Sequence, residues 1–334
     1  MTGKHLSLDK SPNYADFQLT VQYQKGLDII GVGAAGQVYN VDDYVVLKAC
    51  RIYEPPSSDA APCALWDYAS ETIFHVGILK DEKTVLRLLT EHPHPNIIEA
   101  IHMDHPEGIY LRKYQPLSAL TPGSQSDRIF WYQDIIRALL HLHKLGISHS
   151  DMRKDNILFD QQGHALLGDF GANQFAMGSL IYELETGVRS EISFDDHDGL
   201  ILPKINTAHD GLDSLIENAG RGQYDSTTDM LKHAECLNTV QDSRGPVEHP
   251  VSKTELIARI AQWRKNWAQQ HGNLAINEND SKEPGQQCIL GCVLYSLPTE
   301  PQLQILAERY GWSMDEELRF RDDIFIFSRG ETPS

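Results

Sequence analysis

The 334-residue sequence predicts an α+β chain in which short strands come first and helices follow. Three observations predict it. Residues 27–30, 38–41 and 45–48 are short apolar runs set apart by glycines and an Asp42-Asp43 turn, a pattern of antiparallel strands. Residues 127–145 carry Ile129, Ile135, Ile136, Leu139, Leu140 and Leu142 at helical spacing. Apolar residues make up 41% of the chain, ample for a core in one large domain or two smaller ones.

Charge and cysteine usage narrow the partners. The net charge is -18 with no basic run, so no nucleic acid and no acidic membrane surface is expected, since both need clustered Lys and Arg. Five cysteines, at 50, 63, 236, 288 and 292, are odd in number and scattered, which fits a reducing compartment rather than a disulfide framework. Cys288 and Cys292 lack partners at metal-ligand spacing and read as ordinary thiols. Residues 1–10 have no apolar core of a leader, and no run is long enough to span a bilayer. The expectation is a soluble, intracellular (cytoplasmic) protein.

Taken in order, residues 1–25 are polar, with Ser11-Pro12-Asn13 as a breaker. The run at 27–30 leads into Gly31-Val32-Gly33-Ala34-Ala35-Gly36-Gln37-Val38, whose three glycines let backbone N–H groups approach phosphates without Cβ interference. The same spacing occurs in dinucleotide sites and in plain hairpins. A dinucleotide site needs a helix next; here strand, turn and strand follow, with Lys48 in the last strand. Residues 51–64, rich in Pro, Ser and Ala, read as an extended loop. A helix over 78–90 bears Glu82 and is followed by His94-Pro95-Asn96-Ile97-Ile98. Two strands are expected within 100–111, and a turn over 116–126 with Pro122-Gly123.

The chemistry concentrates after the long helix. His149-Ser150-Asp151-Met152-Arg153-Lys154-Asp155-Asn156 is followed, thirteen residues past Asn156, by Asp169-Phe170-Gly171. A carboxylate, an amide five residues on and a second carboxylate can together hold one base and two divalent ions. With the glycine loop and the strand lysine, this stretch resembles the eukaryotic-type protein kinases, of the Ser/Thr kind and a divergent fungal type. The resemblance implies a two-lobed fold, with a β-rich N-lobe over 26–114 and a helical C-lobe over 115–240. It implies ATP and Mg²⁺ as ligands and a protein as phosphate acceptor. Ile30, Gly31, Val32, Gly33, Ala34, Ala35, Gly36 and Val38 would form the nucleotide lid. Lys48 would hold the α and β phosphates, paired with Glu82, or less favourably Glu71. Arg112-Lys113-Tyr114 would lie near the adenine hinge. Asp151 matches the base, Asn156 and Asp169 the metal-holding positions, and Arg153 the cation near the γ-phosphate, where the family usually has lysine. Ser150 replaces an arginine that reads a loop phosphate, which argues against that form of control. His149 is structural in the family.

The pattern then breaks. Phe175 to Gly187 resembles the buried C-lobe helix of kinases, yet Phe175 is four residues past Gly171 (175 − 171 = 4). Four residues reach at most about 14 Å, so the activation segment and substrate-docking stretch are missing. A specialised or inactive kinase, an alternative transcript and a lost exon each account for this, and the abruptness favours the last two. Nucleotide binding is thus better supported than catalysis. Lys154 after Arg153 argues weakly against Tyr specificity. Two readings stand beside the kinase: a catalytically impaired pseudokinase that scaffolds a partner, and a small-molecule phosphotransferase of kinase-like fold.

Residues 211–216 and 222–226 resemble closing helices of divergent kinases. The C-terminal extension, 241–334, opens on a linker at 241–251. A helix over 253–270 places Leu256, Ile257, Ile260, Trp263 and Trp267 on one face. A polar stretch, a strand over 288–297, a helix over 301–310 and a strand at 324–327 complete it. It reads as a helix docked on the C-lobe or as a partner-binding module.

Overall fold

The computed structural model describes residues 19–24, 26–33, 36–57, 59–120, 123–147, 152–168, 174–188, 193–194, 200–201, 203–207, 209–238, 241–271 and 296–309. The chain opens on β1 (Val21–Gln22), β2 (Ile29–Val32), β3 (Gly36–Asn40), β4 (Val45–Cys50) and β5 (Ile52–Tyr53). Helix α1 (Pro62–Glu91) follows, then β6 (Ala100–His102), β7 (Ile109–Arg112) and β8 (Gln115–Pro116). After it come α2 (Gln125–Lys144), β9 (Ile157–Phe159), β10 (Ala165–Leu167), α3 (Gln174–Thr186), the short pair β11 (Ser193–Phe194) and β12 (Leu200–Ile201), α4 (Asp210–Gly220), α5 (Thr227–Cys236), α6 (Lys253–His271) and α7 (Glu300–Arg309). A β-rich N-terminal part thus precedes a helical part, the expected α+β, two-lobed architecture.

Five strands form the main sheet in the order β2-β3-β4-β7-β6, all antiparallel. Asp42 shapes the β3–β4 turn: its Oδ1 accepts from the N–H groups of Tyr44 at 2.7 Å and Val45 at 2.8 Å. Central strand β4 is buried at every position. Its side chains alternate between faces. Val46 and Cys50 join a cluster with Ile73, Val76, Leu79 and Leu86 of α1. Val45, Leu47 and Ala49 join Tyr39, Ile101 and Tyr110 on the other face. Gly36 is dictated by close approach, because a Cβ there would lie 2.0 Å from the Ala49 carbonyl oxygen.

Helix α1 begins sixteen residues before the expected 78 (78 − 62 = 16), so it takes the last three residues, 62–64, of the loop expected over 51–64, and β5 takes residues 52 and 53. Pro62 sits in its first turn, where a missing N–H costs nothing, so this proline starts the helix rather than breaking it. Tyr68, Ala69, Ile73 and Val76 then continue the buried stripe.

In the helical part, α2 is closed by a reciprocal capping box between Ser124 and Asp127. Its Ile135, Ile136, Leu139 and Leu142 form a core with Ile157, Phe159, Leu167, Leu180, Ile181, Leu215 and Ala219. Helices α3 and α4 approach closely at Gly178, where a Cβ would fall 2.7 Å from the Gly220 nitrogen.

The tail corrects the expectation of docking on the C-lobe. Helix α6 covers the N-terminal sheet: Val251, Leu256 and Ile260 complete the cluster on the face away from α1. Ile257, expected on the same apolar face, is 41% exposed, because the buried stripe runs through Leu256, Ile260 and Trp267. Helix α7 lies on α1, with Leu303, Leu306 and Ala307 in the α1 cluster and an ion pair from Lys80 to Glu300. The expected linker is itself pinned. Arg244 donates to Asp134 at 2.9 Å and to the Gly163 carbonyl at 3.0 Å, and Arg112 donates to the Val251 carbonyl at 2.8 Å. Of the tail strands expected over 288–297 and 324–327, residues 288–295 and 324–327 lie outside the described residues, and 296 and 297 form no strand.

Candidate active site

A cleft of about 510 Å³ lies between the sheet and the segment after α2. Ile30, Gly31, Val32, Gly33, Gly36 and Val38 line it from β2 and β3, and Lys48 from β4. Arg153, Lys154, Asp155, Asn156 and Ile157 line the opposite side, with Pro116, Leu117 and Ser118 at one end. Residues more than a hundred positions apart therefore share one cavity. Asp151 and Asp169, and the loop-tip residues Ala34 and Ala35, lie outside the described residues.

The register of the sheet positions Lys48. It sits two residues from both Val46 and Cys50, so its side chain leaves β4 on the α1 face. There its Nζ meets Glu82 Oε1 at 2.7 Å, with both side chains under 10% exposed. A buried pair of this kind is costly to desolvate and weak evidence of stability on its own. Its place over a cleft makes it a fixed positive charge beside an open backbone.

Glu71, the second candidate for this partnership, is engaged elsewhere. Its Oε2 lies 3.5 Å from both the Tyr53 hydroxyl and His75 Nε2. Tyr53 and His75 share a bond of 2.8 Å. Burial, and then the charge of Arg51, pulls the His75 imidazole down to about 4, so it is neutral near pH 7 and accepts from Tyr53.

The glycine loop leaves backbone accessible. A Cβ at Gly31 would meet only Val38, at an ordinary 3.6 Å. Gly33 donates its N–H to the Gly36 carbonyl at 2.8 Å and its own carbonyl accepts from Arg51 Nη2 at 3.0 Å. Across the cleft, Lys154 to Asn156 form one turn of 3₁₀ helix whose first bonds run from Asn156 N–H to the Arg153 carbonyl. The Gly168 N–H donates to the Asn156 carbonyl at 3.0 Å. That bond ties the turn to the end of β10, the residue before Asp169 in sequence. Lys154 pairs with Glu183 of α3 at 3.1 Å.

One expectation is corrected. Arg112, Lys113 and Tyr114 do not line the cleft. Arg112 is buried against Glu99 at 2.7 Å, and Lys113 reaches back to the Asn40 side chain at 2.6 Å. The cleft wall comes instead from Pro116, Leu117 and Ser118. Nothing in residue type marked these three; Pro-Leu-Ser resembles an ordinary turn. Lys154, Asp155 and Ile157 also line the cleft beside residues that the motif did single out.

The cleft's donor set suits a polyphosphate. Lys48 and Arg153 are cations, the glycine loop offers backbone, and Asn156 brings an amide oxygen of the type that hard divalent ions take. A glycine-rich hairpin, a strand lysine paired with a helical glutamate, and an Asn-bearing turn below them are the arrangement that the resemblance to protein kinases implies. Residues 26–187 match the family model described as "Protein kinase domain"; this part of the chain is a protein kinase domain. It is 28% identical over 167 residues to "Mitogen-activated protein kinase kinase kinase 3" of Arabidopsis thaliana, covering 46% of this chain and 24% of that protein. It is 33% identical over 157 residues to human "Ribosomal protein S6 kinase alpha-3", covering 44% and 20% respectively. With "Serine/threonine-protein kinase PrkC" of Bacillus subtilis the identity is 26% over 156 residues, covering 43% and 22%. The matched part thus spans about a quarter or less of the length of these relatives. A kinase domain implies ATP, a divalent metal and a protein substrate. Among the described residues no helix is long and apolar enough to cross a membrane.

Proposed function

We propose that the chain binds ATP with Mg²⁺ in the cleft and transfers the γ-phosphoryl group to Ser or Thr hydroxyls of proteins. The observation that carries this reading is the buried Lys48–Glu82 pair at 2.7 Å, set between the glycine hairpin and the Arg153–Asn156 turn. Phosphoryl transfer asks little covalent chemistry of a protein; positioning and charge neutralisation carry it. Lys48, fixed by Glu82, holds the α and β phosphates. Ile30 and Val38 flank the base, and Gly31, Val32, Gly33 and Gly36, with Ala34 and Ala35 between, cover the phosphates. Asn156 and Asp169 would hold Mg²⁺, which neutralises charge on the β and γ oxygens when bound. Asp151 accepts the proton of the acceptor hydroxyl, and Arg153 meets charge developing on the γ-phosphoryl group.

One observation favours a second reading. Six residues, 168 to 173, separate the end of β10 from the start of α3. Helix α3 is engaged through Lys154–Glu183 and Arg128–Glu185. So short a span leaves no stretch for a peptide platform. It supports a catalytically impaired nucleotide-binding module, or a phosphotransferase acting on small molecules.

Mg-ATP should raise the melting temperature, and labelled phosphate should pass to a generic Ser/Thr peptide from the wild type but not from Asp151→Asn. A thermal shift without transfer supports the impaired module. Transfer to small-molecule alcohols but not peptides supports the third reading. No thermal shift with Mg-ATP rejects the site.

A further inference from the structure

We infer that Arg51 is a positioning residue for the phosphate-binding loop, and that with Tyr53 and His75 it couples that loop to the helix carrying Glu82. The inference rests on the nucleotide reading of the cleft. Arg51 follows β4 and lies three residues past Lys48. Its Nη2 donates to the Gly33 carbonyl at 3.0 Å. Gly33 lines the cleft and Arg51 does not. The carbonyl oxygen of Gly33 is therefore turned out of the cleft and held there by a cation. A peptide carbonyl facing a triphosphate is repulsive, whereas backbone N–H groups attract it. Arg51 removes the first and leaves the backbone free for the second.

The same guanidinium acts on α1. Its charge lowers the pKa of both Tyr53 and His75, in each case against or beside the larger effect of burial. Tyr53 and His75 are joined at 2.8 Å, and Glu71 lies 3.5 Å from both. His75 and Glu71 belong to α1, as does Glu82, the partner of Lys48. Arg51, two residues before Tyr53 in sequence, thus stands between the glycine loop and the Tyr53–His75 pair on the helix that orients the lysine. Arg is suited to this place because its planar, always charged guanidinium is pre-organised and loses less freedom in holding a carbonyl than a lysine ammonium does.

The test compares Arg51→Ala, Arg51→Lys and wild type by calorimetric binding of Mg-ATP, Mg-ADP and adenosine, with thermal unfolding of each. Arg51→Ala is expected to weaken Mg-ATP and Mg-ADP about tenfold, the loss of one charge-assisted hydrogen bond. Adenosine, which has no phosphates, should change by less than about twofold on the same grounds. Arg51→Lys should recover part of the Mg-ATP affinity. If Arg51→Ala does not fold, Arg51→Lys alone still decides: a selective loss for phosphate-bearing ligands supports the role, and unchanged affinity overturns it. Equal losses for ATP and adenosine would mean that Arg51 only supports the fold, and would overturn it too. Wild type that binds none of the three would instead bring down the nucleotide reading, and this inference with it.

Discussion

Helices α1 and α6 press on opposite faces of one sheet, and different physics holds each. On the α1 face, β4 offers Val46, Lys48 and Cys50, and the contact includes a charge pair buried at 2.7 Å. On the α6 face it offers Val45, Leu47 and Ala49, and Leu256 and Ile260 close the contact. Charges enter on the α6 side only to fix orientation. Arg264 donates to the buried Glu107 at 2.7 Å, and the Arg259 guanidinium lies 5.0 Å from the centre of the Tyr44 ring. One strand thus carries its chemistry on one face and its packing on the other. Apolar burial behind β4 can offset the desolvation of Lys48 and Glu82 without crowding the cleft.

The largest effect should follow from the one residue that both faces need. Gly36→Ala places a Cβ against the Ala49 carbonyl and forces β3 from β4. A loss of about 4 kcal/mol or more is expected in chemical denaturation, with nucleotide binding abolished. An unchanged midpoint would break the view that a single ladder serves both faces. Next comes Lys48→Met, which strands a buried carboxylate and should cost about 3 kcal/mol. Adding Glu82→Leu should restore stability without restoring Mg-ATP binding. Recovery of both would assign the pair to packing alone.

Leu256→Ala tests the opposite face. It should cost about 2–3 kcal/mol, the loss of a fully buried leucine. The affinity of the remaining folded protein for Mg-ATP should stay within about twofold, because the lost contact touches no cleft residue. A large loss of affinity would show that the faces are coupled.

Acid should act in part through His75 of α1, alongside His94 and His105, whose imidazoles burial also pulls down to about 4. The unfolded chain takes a proton on His75 near pH 6.5, whereas folded His75 does so only at about 4. Between those values the unfolded state binds more protons, so stability falls as the pH drops from 6.5 towards 4, by at most about 1.4 kcal/mol per pH unit. Denaturation midpoints across that range should show a shallower slope in His75→Gln, which keeps an acceptor for Tyr53. An identical slope would clear His75. The smallest effect belongs to the rim: Arg87 pairs with Asp104 at 3.1 Å with both side chains largely exposed. Arg87→Ala should shift stability by less than about 0.5 kcal/mol.

Much of the site was legible because its signals are local. Glycine spacing, a lysine at a fixed strand position and the turn at Lys154–Asn156 are each set by backbone geometry over a few residues. Strands β2 to β4 followed from period and the Asp42 turn, and helix α2 from its apolar period. The start of α1 was misread because a proline that begins a helix and one that ends a loop look alike until Tyr68, Ala69 and Ile73 find the surface they pack on. The wall formed by Pro116, Leu117 and Ser118 was missed because shape, not residue type, puts it there.

By itself, then, the sequence determined the α+β order of elements, the cleft-lining glycines and the Lys48 position, because each depends on neighbours in the chain. The tertiary structure alone decided that Glu82 rather than Glu71 meets Lys48, and that Arg51 holds Gly33. It alone decided that α6 backs the N-terminal sheet rather than the helical part. A periodic apolar face says that a helix must be covered, and a charge says that it must be neutralised. Which of several suitable partners does either depends on distances that only the assembled fold sets.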